Sequence, residues 1–201
     1  MTWIKTIACE QAGGRLKKLY DRIKGPGDKV DNIMLAHSLR PHTMEGHMTL
    51  YKNVLHHSAN SLSKSRLETI GVYVSLLNEC DYCVEHHFAG LCRMLGDDQK
   101  AADIRRALEQ YDPATVFDGR ELAGLEYAEK LTTDPGNVDE KDIDKLRAAG
   151  LEDGEILEIN QVTAYFAYAN RTVLGLGVNT EGDILGLSPG DTDDAKNWSH
   201  T

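Results

Sequence analysis

Through most of the chain, apolar side chains recur at intervals of three and four residues, the period of an α-helix with one buried face. Leu16, Leu19, Tyr20 and Ile23 share a side between Gly14 and Ile23, and Gly25-Pro26-Gly27 breaks the segment. Val30 to Leu39 reads as a second helix, stopped before Pro41. A third, from about Thr43, sets Met44, Met48, Tyr51 and Leu55 on one face. The next begins near Ser63 to Ser65, directs Leu67, Ile70, Val74 and Leu77 inward, and turns at Asn78-Glu79. Val72-Tyr73-Val74 favours a strand locally, but the length and flanks of the segment fit a buried helix better. Helices from Asp81 to Leu95 and from an N-cap at Asp97 to about Tyr111 follow. Arg120 to Leu131, Glu140 to Ala149 and a long apolar stretch from Glu155 to about Leu174 complete the pattern. No segment alternates with period two, so the predicted fold class is all-α.

The helical pattern predicts one domain over residues 1–178. Residues 179–201, rich in Gly, Asp, Ser and Thr, read as an irregular tail with Trp198 as a candidate anchor. The tail is short of evident internal partners, which makes it a candidate for contact with a neighbouring subunit. Glu68 lies twelve positions before Cys80 and Glu158 twelve before Asn170, each in an apolar context. This is a weak sign of internal duplication, and two unrelated apolar helices would give it as well.

The 201 residues suffice for one domain with a sizeable core. A net charge of -10, with Lys and Arg dispersed, argues against nucleic acid or an anionic membrane as partner. No stretch approaches the roughly 18 apolar residues of a membrane span. Met1 to Gly14 lacks the apolar run of a signal peptide, so the expected location is cytoplasmic. Four cysteines, Cys9, Cys80, Cys83 and Cys92, do not suggest a disulfide framework in a reducing compartment; a close pair there is more often catalytic or metal-binding. No cofactor is called for.

The informative segment runs Glu79-Cys80-Asp81-Tyr82-Cys83-Val84-Glu85-His86-His87. In a helix starting near Cys80, Cys80 and Cys83 are neighbours at i, i+3 and Cys83 and His87 at i, i+4, all on one face. The positive end of the helix dipole lowers the pKa of a thiol in the first turn, and a histidine one turn on can accept its proton. A sulfenic acid formed on either sulfur would condense with the other thiol. Three other readings stand beside this one: a partial zinc site lacking its second ligand pair, a buried pair without chemistry, and a thioredoxin-like motif, which needs a βαβ context that is absent. Glu68 lies ten residues before Asn78 and His87 nine after it. A straight helix would hold them roughly 28 Å apart, whereas an antiparallel hairpin closed at Asn78 would set them opposite each other. Against that relay, Ser65-Arg66-Leu67-Glu68 fits a capping box, which local physics favours.

Glu68, eleven intervening residues, Cys80-x-x-Cys83 and three more before His87 resemble the E-x11-C-x-x-C-x3-H signature of alkylhydroperoxidase D, in the carboxymuconolactone decarboxylase-like superfamily. The Trp3-Ile4 start, Leu19-Tyr20, Leu146 to Leu151, Glu155-Ile156-Leu157 and Asn170-Arg171 resemble the peroxidase-related branch, over most of residues 1–178. The resemblance implies an all-helical fold with internal duplication, assembled as homo-oligomeric trimers or hexamers. It also implies reduction of a small-molecule hydroperoxide through a Cys80–Cys83 dithiol/disulfide cycle, with a Glu68–His87 proton relay. A dithiol donor, in the best-known member a lipoylated protein, would regenerate the thiols. The sequence departs from that member at Tyr82, a histidine there, and in having His86 before His87. The decarboxylase branch lacks the CxxC pair. The alternative is a redox-sensing or zinc-binding module built on the same Cys/His cluster.

Helix-dipole reasoning alone points to Cys80 as the attacking thiol. Contact with His87 points to Cys83, because His87 is roughly 10 Å along the axis from Cys80. A base in contact outweighs a dipole contribution of about 1 kcal/mol that both thiols share in part, so Cys83 is the expected thiolate and Cys80 the resolving thiol. Of His37, His42, His47, His56 and His57, His42 and His47 are candidates to line a pocket, although scattered surface or core histidines are the commoner case. Cys9 and Cys92 read as isolated small hydrophobes.

Overall fold

A computed structural model describes residues 2–194 and 196–200. Its helices are α1 (Gly14–Ile23), α2 (Asn32–Ala36), α3 (Pro41–Leu55), α4 (Lys64–Leu77), α5 (Asp81–Leu95), α6 (Asp98–Glu109), α7 (Gly119–Thr133), α8 (Glu140–Ala148) and α9 (Asp153–Leu176). The fold is all-α, with no strand among the described residues beyond an isolated bridge between Pro189 and His200.

Local chemistry explains most boundaries. Asp97 caps α6 by accepting from the Lys100 N–H, and Gly96, left-handed at φ 59°, ends α5. Capping boxes at Asp139/Asp142 and Glu152/Glu155 start α8 and α9, which moves the start of α9 two residues ahead of its apolar period. The second helix is shorter than the pattern predicts. Only Asn32–Ala36 is α-helical, because bonds from His37 N–H to Met34 and from Ser38 N–H to Leu35 tighten the chain into a turn before α3.

The centre of the fold is α4. It packs on α5, α7 and α9, and Val72, Tyr73 and Val74 are buried within it. Burial on all sides explains why a run of strand-favouring β-branched and aromatic residues is helical here, since tertiary packing overrides local propensity. The contact with α9 depends on Gly71. A Cβ there would lie 2.2 Å from the Phe166 ring, whose edge takes the space. Gly71→Ala is therefore expected to destabilise the protein by about 1–3 kcal/mol through overpacking, visible as a lower midpoint in thermal denaturation. An unchanged midpoint would mean that Phe166 moves aside freely.

The tail finds its partners within the chain, contrary to the expectation from the sequence. Lys29, Arg93 and Lys64 donate to the carbonyls of Gly182, Leu185 and Pro189, and buried Lys52 donates to Gly190. Trp198 is 7% exposed and belongs to the main core, 5.8 Å from Tyr51 ring to ring. The tail thus crosses the mouth of the hairpin formed by α4 and α5. No helix among the described residues is long and apolar enough to cross a membrane.

Candidate active site

The turn between α4 and α5 builds the site. Asn78 ends α4, and Glu79 adopts the left-handed conformation at φ 55°. The Glu79 N–H donates to Leu76 (3.0 Å) and the Cys80 N–H to Ser75 (2.9 Å), the paired closure of a Schellman motif. Asn78 Nδ2 also donates to Val74 O and to Asn170 Oδ1 on α9, which ties the turn to the core. Reversed there, α5 returns along α4, and His87 Nδ1 meets Glu68 Oε2 at 2.6 Å. The capping-box reading of Glu68 fails: Ser63 is the N-cap and accepts from the Arg66 N–H. Glu68 therefore sits in the helix interior, 1% exposed and aimed at α5. Burial pushes its carboxyl pKa up, but the charge and hydrogen bond of His87, helped by His56 and Lys64, outweigh this and hold it below the ordinary value.

Cys80 is the N-cap of α5, and Cys83 lies in its first turn. Both are free thiols, 0% and 2% exposed, and they share a hydrogen bond. Cys80 falls below the ordinary thiol value mainly because it accepts from the Cys83 thiol, aided by the Cys83 N–H and the Asn170 amide. Cys83 rises well above its ordinary value because its proton is held in that bond and it is buried beside a negative sulfur. Of the two sulfurs Cys80 is therefore the more acidic.

This departs from the expected Cys83–His87 contact. Among the described residues Cys83 makes no hydrogen bond to His87, although both lie on one side of α5. Glu68 takes the Nδ1 of His87, and the ring is held edge-on by Phe166 at 4.6 Å and by Tyr51 at 6.2 Å. The two residues instead share a wall. Cys83, His87 and Glu68 all line a cavity of about 70 Å³, whose wall does not include Cys80. That space accommodates a few waters or a small molecule. Charge and access are thus divided between the two sulfurs.

Of the two histidines expected to line a pocket, His47 does so, and burial, with His37 and His87 nearby, lowers its pKa to about 3, so it is neutral there. His42 is exposed and does not line it. Tyr51 and Tyr165 line it too, and their hydroxyl pKa values are raised well above the ordinary value, chiefly by burial.

Tyr82 and His86, the departures from the family pattern, have a common partner. Tyr82 Oη donates to Asp183 Oδ2 (2.8 Å), and His86 Nε2 lies 3.1 Å from the same oxygen. Asp183 comes from the tail, 101 positions from Tyr82, and no spacing in the sequence marks it. Asp31 also lines the cavity and is missed by sequence reasoning, since the apolar pattern sets it inside a helix read from Val30 to Leu39. Among the described residues no three His, Cys, Asp or Glu side chains gather as a metal site.

Residues 41–130 match the Carboxymuconolactone decarboxylase family. The solved structures similar to the chain include an alkylhydroperoxidase AhpD core, an uncharacterized peroxidase-related protein of Ralstonia eutropha (24% identity, TM-score 0.77, 92% of this chain and 96% of that one). A peroxidase-related protein of a Silicibacter species is 25% identical, with TM-score 0.71 and coverage of 89% and 90%. The debrominase Bmp8 is more distant, at 18% identity and TM-score 0.65 over 82% and 85%. No curated protein matches the chain. The family match thus supports the carboxymuconolactone decarboxylase part of the resemblance over residues 41–130, and the solved structures share the all-helical fold of an alkylhydroperoxidase AhpD core.

Proposed function

We propose that this chain, which carries the alkylhydroperoxidase D-like fold, is a thiol-dependent peroxidase acting through a Cys80–Cys83 dithiol/disulfide cycle. The observation that carries the reading is the joint one: two free, buried thiols at the start of α5, one of them on the wall of the cavity that also holds the buried Glu68–His87 pair. A buried acid–base pair beside a redox-competent dithiol, in a cavity sized for a small molecule, is what peroxide reduction needs.

In this reading Cys83 attacks, because it is the sulfur that a substrate in the cavity can reach. Its proton passes across the shared bond to Cys80 or, through a molecule in the cavity, to His87, where Glu68 stabilises the imidazolium. The thiolate attacks the terminal peroxide oxygen, so that an S–O bond forms and the O–O bond breaks. Cys80 then attacks the Cys83 sulfenic acid, the disulfide forms, and hydroxide leaves as water. A dithiol returns both cysteines to thiols, and a lipoylated protein is the proposed donor. A homo-oligomer, trimer or hexamer, is proposed from the family resemblance.

The test is a thiol count on the purified protein before and after one equivalent of tert-butyl hydroperoxide. The four titratable thiols of the chain should fall to two and recover with excess dithiol. Four unchanged thiols, or stoichiometric zinc in the isolated protein, would overturn the reading in favour of a binding or sensing module.

A further inference from the structure

A feature of α2 bears on how the peroxide bond breaks. Asp31 occupies the N-cap position of α2, where an aspartate ordinarily accepts from the first free N–H groups, yet its carboxylate makes no capping bond. That task has passed to the tail. The Asn32 N–H donates to Asp183 Oδ1 and Oδ2, each at 3.1 Å. Released from capping, the Asp31 side chain lines the same cavity as Cys83 and His87. A half-buried carboxyl without a hydrogen-bond partner among the described residues, on the wall of a site, is placed to exchange a proton with whatever occupies that site.

We propose that Asp31 is the general acid of the site, its carboxyl protonating the oxygen that leaves when the thiolate breaks the peroxide bond. This rests on the peroxidase reading above. Attack on the terminal oxygen of ROOH forms the S–O bond and expels RO⁻, an oxygen too basic to leave readily without a proton. Asp31 supplies that proton and ROH departs. The proton taken from Cys83 stands on the His87 side of the cavity and returns to the Asp31 carboxylate through solvent there. The second thiol proton leaves in the water formed with the disulfide. Two thiols and ROOH thus yield one disulfide, ROH and water.

The surroundings suit the role. Burial raises the Asp31 carboxyl to about 6; the charges facing it are His86 and His87, which oppose that rise, and Asp183, which adds to it. The hydroxyls of Tyr51 and Tyr82 also feel its charge. The Glu68 carboxyl stands below its ordinary value, so two cavity carboxyls are pushed apart, one to stay ionised and one able to hold a proton near neutrality.

Asp31→Asn keeps the shape of the side chain and removes the acid. Three reagents separate its effects. tert-Butyl hydroperoxide expels an alkoxide that needs a proton, peracetic acid expels acetate that does not, and iodoacetamide reports thiolate alone. The variant is expected to react about a hundredfold more slowly with the hydroperoxide, while its rates with peracetic acid and iodoacetamide are unchanged. Equal losses with all three reagents, or no loss with the hydroperoxide, would overturn the assignment and leave the peroxidase reading standing. Wild-type protein inert to both peroxides would overturn that reading, and the role of Asp31 with it.

Discussion

Cys83→Ser is expected to consume no hydroperoxide at all, whereas Cys80→Ser consumes a single equivalent and stops. The asymmetry comes from access. Cys83 lies on the cavity wall; Cys80 is fully buried at the N-cap of α5 and is not part of that wall. Without Cys80 the remaining thiol still meets the substrate and forms a sulfenic acid, but no second thiol condenses with it. The opposing consideration is charge, because the shared hydrogen bond leaves Cys80 the more acidic of the two sulfurs. Moving the proton from Cys83 to Cys80 runs against that order of acidity but shifts only a proton. Moving a buried sulfur onto a wall formed by other residues requires rearranging the start of a helix. Trapping of the sulfenic acid with a dimedone-type reagent and mass spectrometry would locate the adduct. Adduct formation in Cys83→Ser at the wild-type rate would reverse the assignment.

Glu68→Gln is expected to lower kcat/KM by about 10²–10⁴-fold, the range for loss of a positioned acid–base function. Glutamine can still hydrogen-bond to His87 Nδ1, but it cannot stabilise the positive imidazolium that forms when His87 takes a proton. Glu68→Ala goes further. It strands His87 next to a cavity in a buried site and should cost about 3–5 kcal/mol of stability, as breaking a buried pair does. The sign of the pH effect follows from the same pair. The Glu68 carboxyl pKa in the folded protein lies below its ordinary value, so its contribution to stability is complete above the ordinary carboxylate range and is lost as pH falls through the folded value. Acid unfolding of Glu68→Gln should be correspondingly less steep. Wild-type turnover in Glu68→Gln, measured with the hydroperoxide and dithiol, would sink the relay.

How far each feature is legible in the sequence depends on the distance over which it is decided. The helices are legible because their causes are local: an apolar period, Asp97 ahead of α6, Gly96 after α5. Helix α5 begins and ends at Asp81 and Leu95, where the pattern puts it. The pairing of Glu68 with His87 is also within reach, since one turn at Asn78-Glu79 and helix arithmetic set the two residues opposite each other. The capping-box alternative stays open in the sequence, because Ser63 and Ser65 are both credible caps and only the folded chain has Ser63 in that position.

The sequence by itself determined the all-α class, the hairpin and the cysteine, histidine and glutamate that it brings together. Each of these follows from backbone periodicity or from residues within about twenty positions of one another. Only the tertiary structure decided where the side chains of that hairpin turn. His87 has two aromatic rings against it rather than Cys83, because Phe166 comes from α9 and Tyr51 from α3. Asp31 faces the cavity because Asp183, some 150 positions later in the chain, has taken over its capping bond. The tail covers the site because Trp198 finds a place in the core and the carbonyls of Pro189 and Gly190 find Lys64 and Lys52. Hydrogen bonding and burial satisfy each group with whatever partner the fold delivers, and partners delivered from distant segments leave no spacing to read in the sequence.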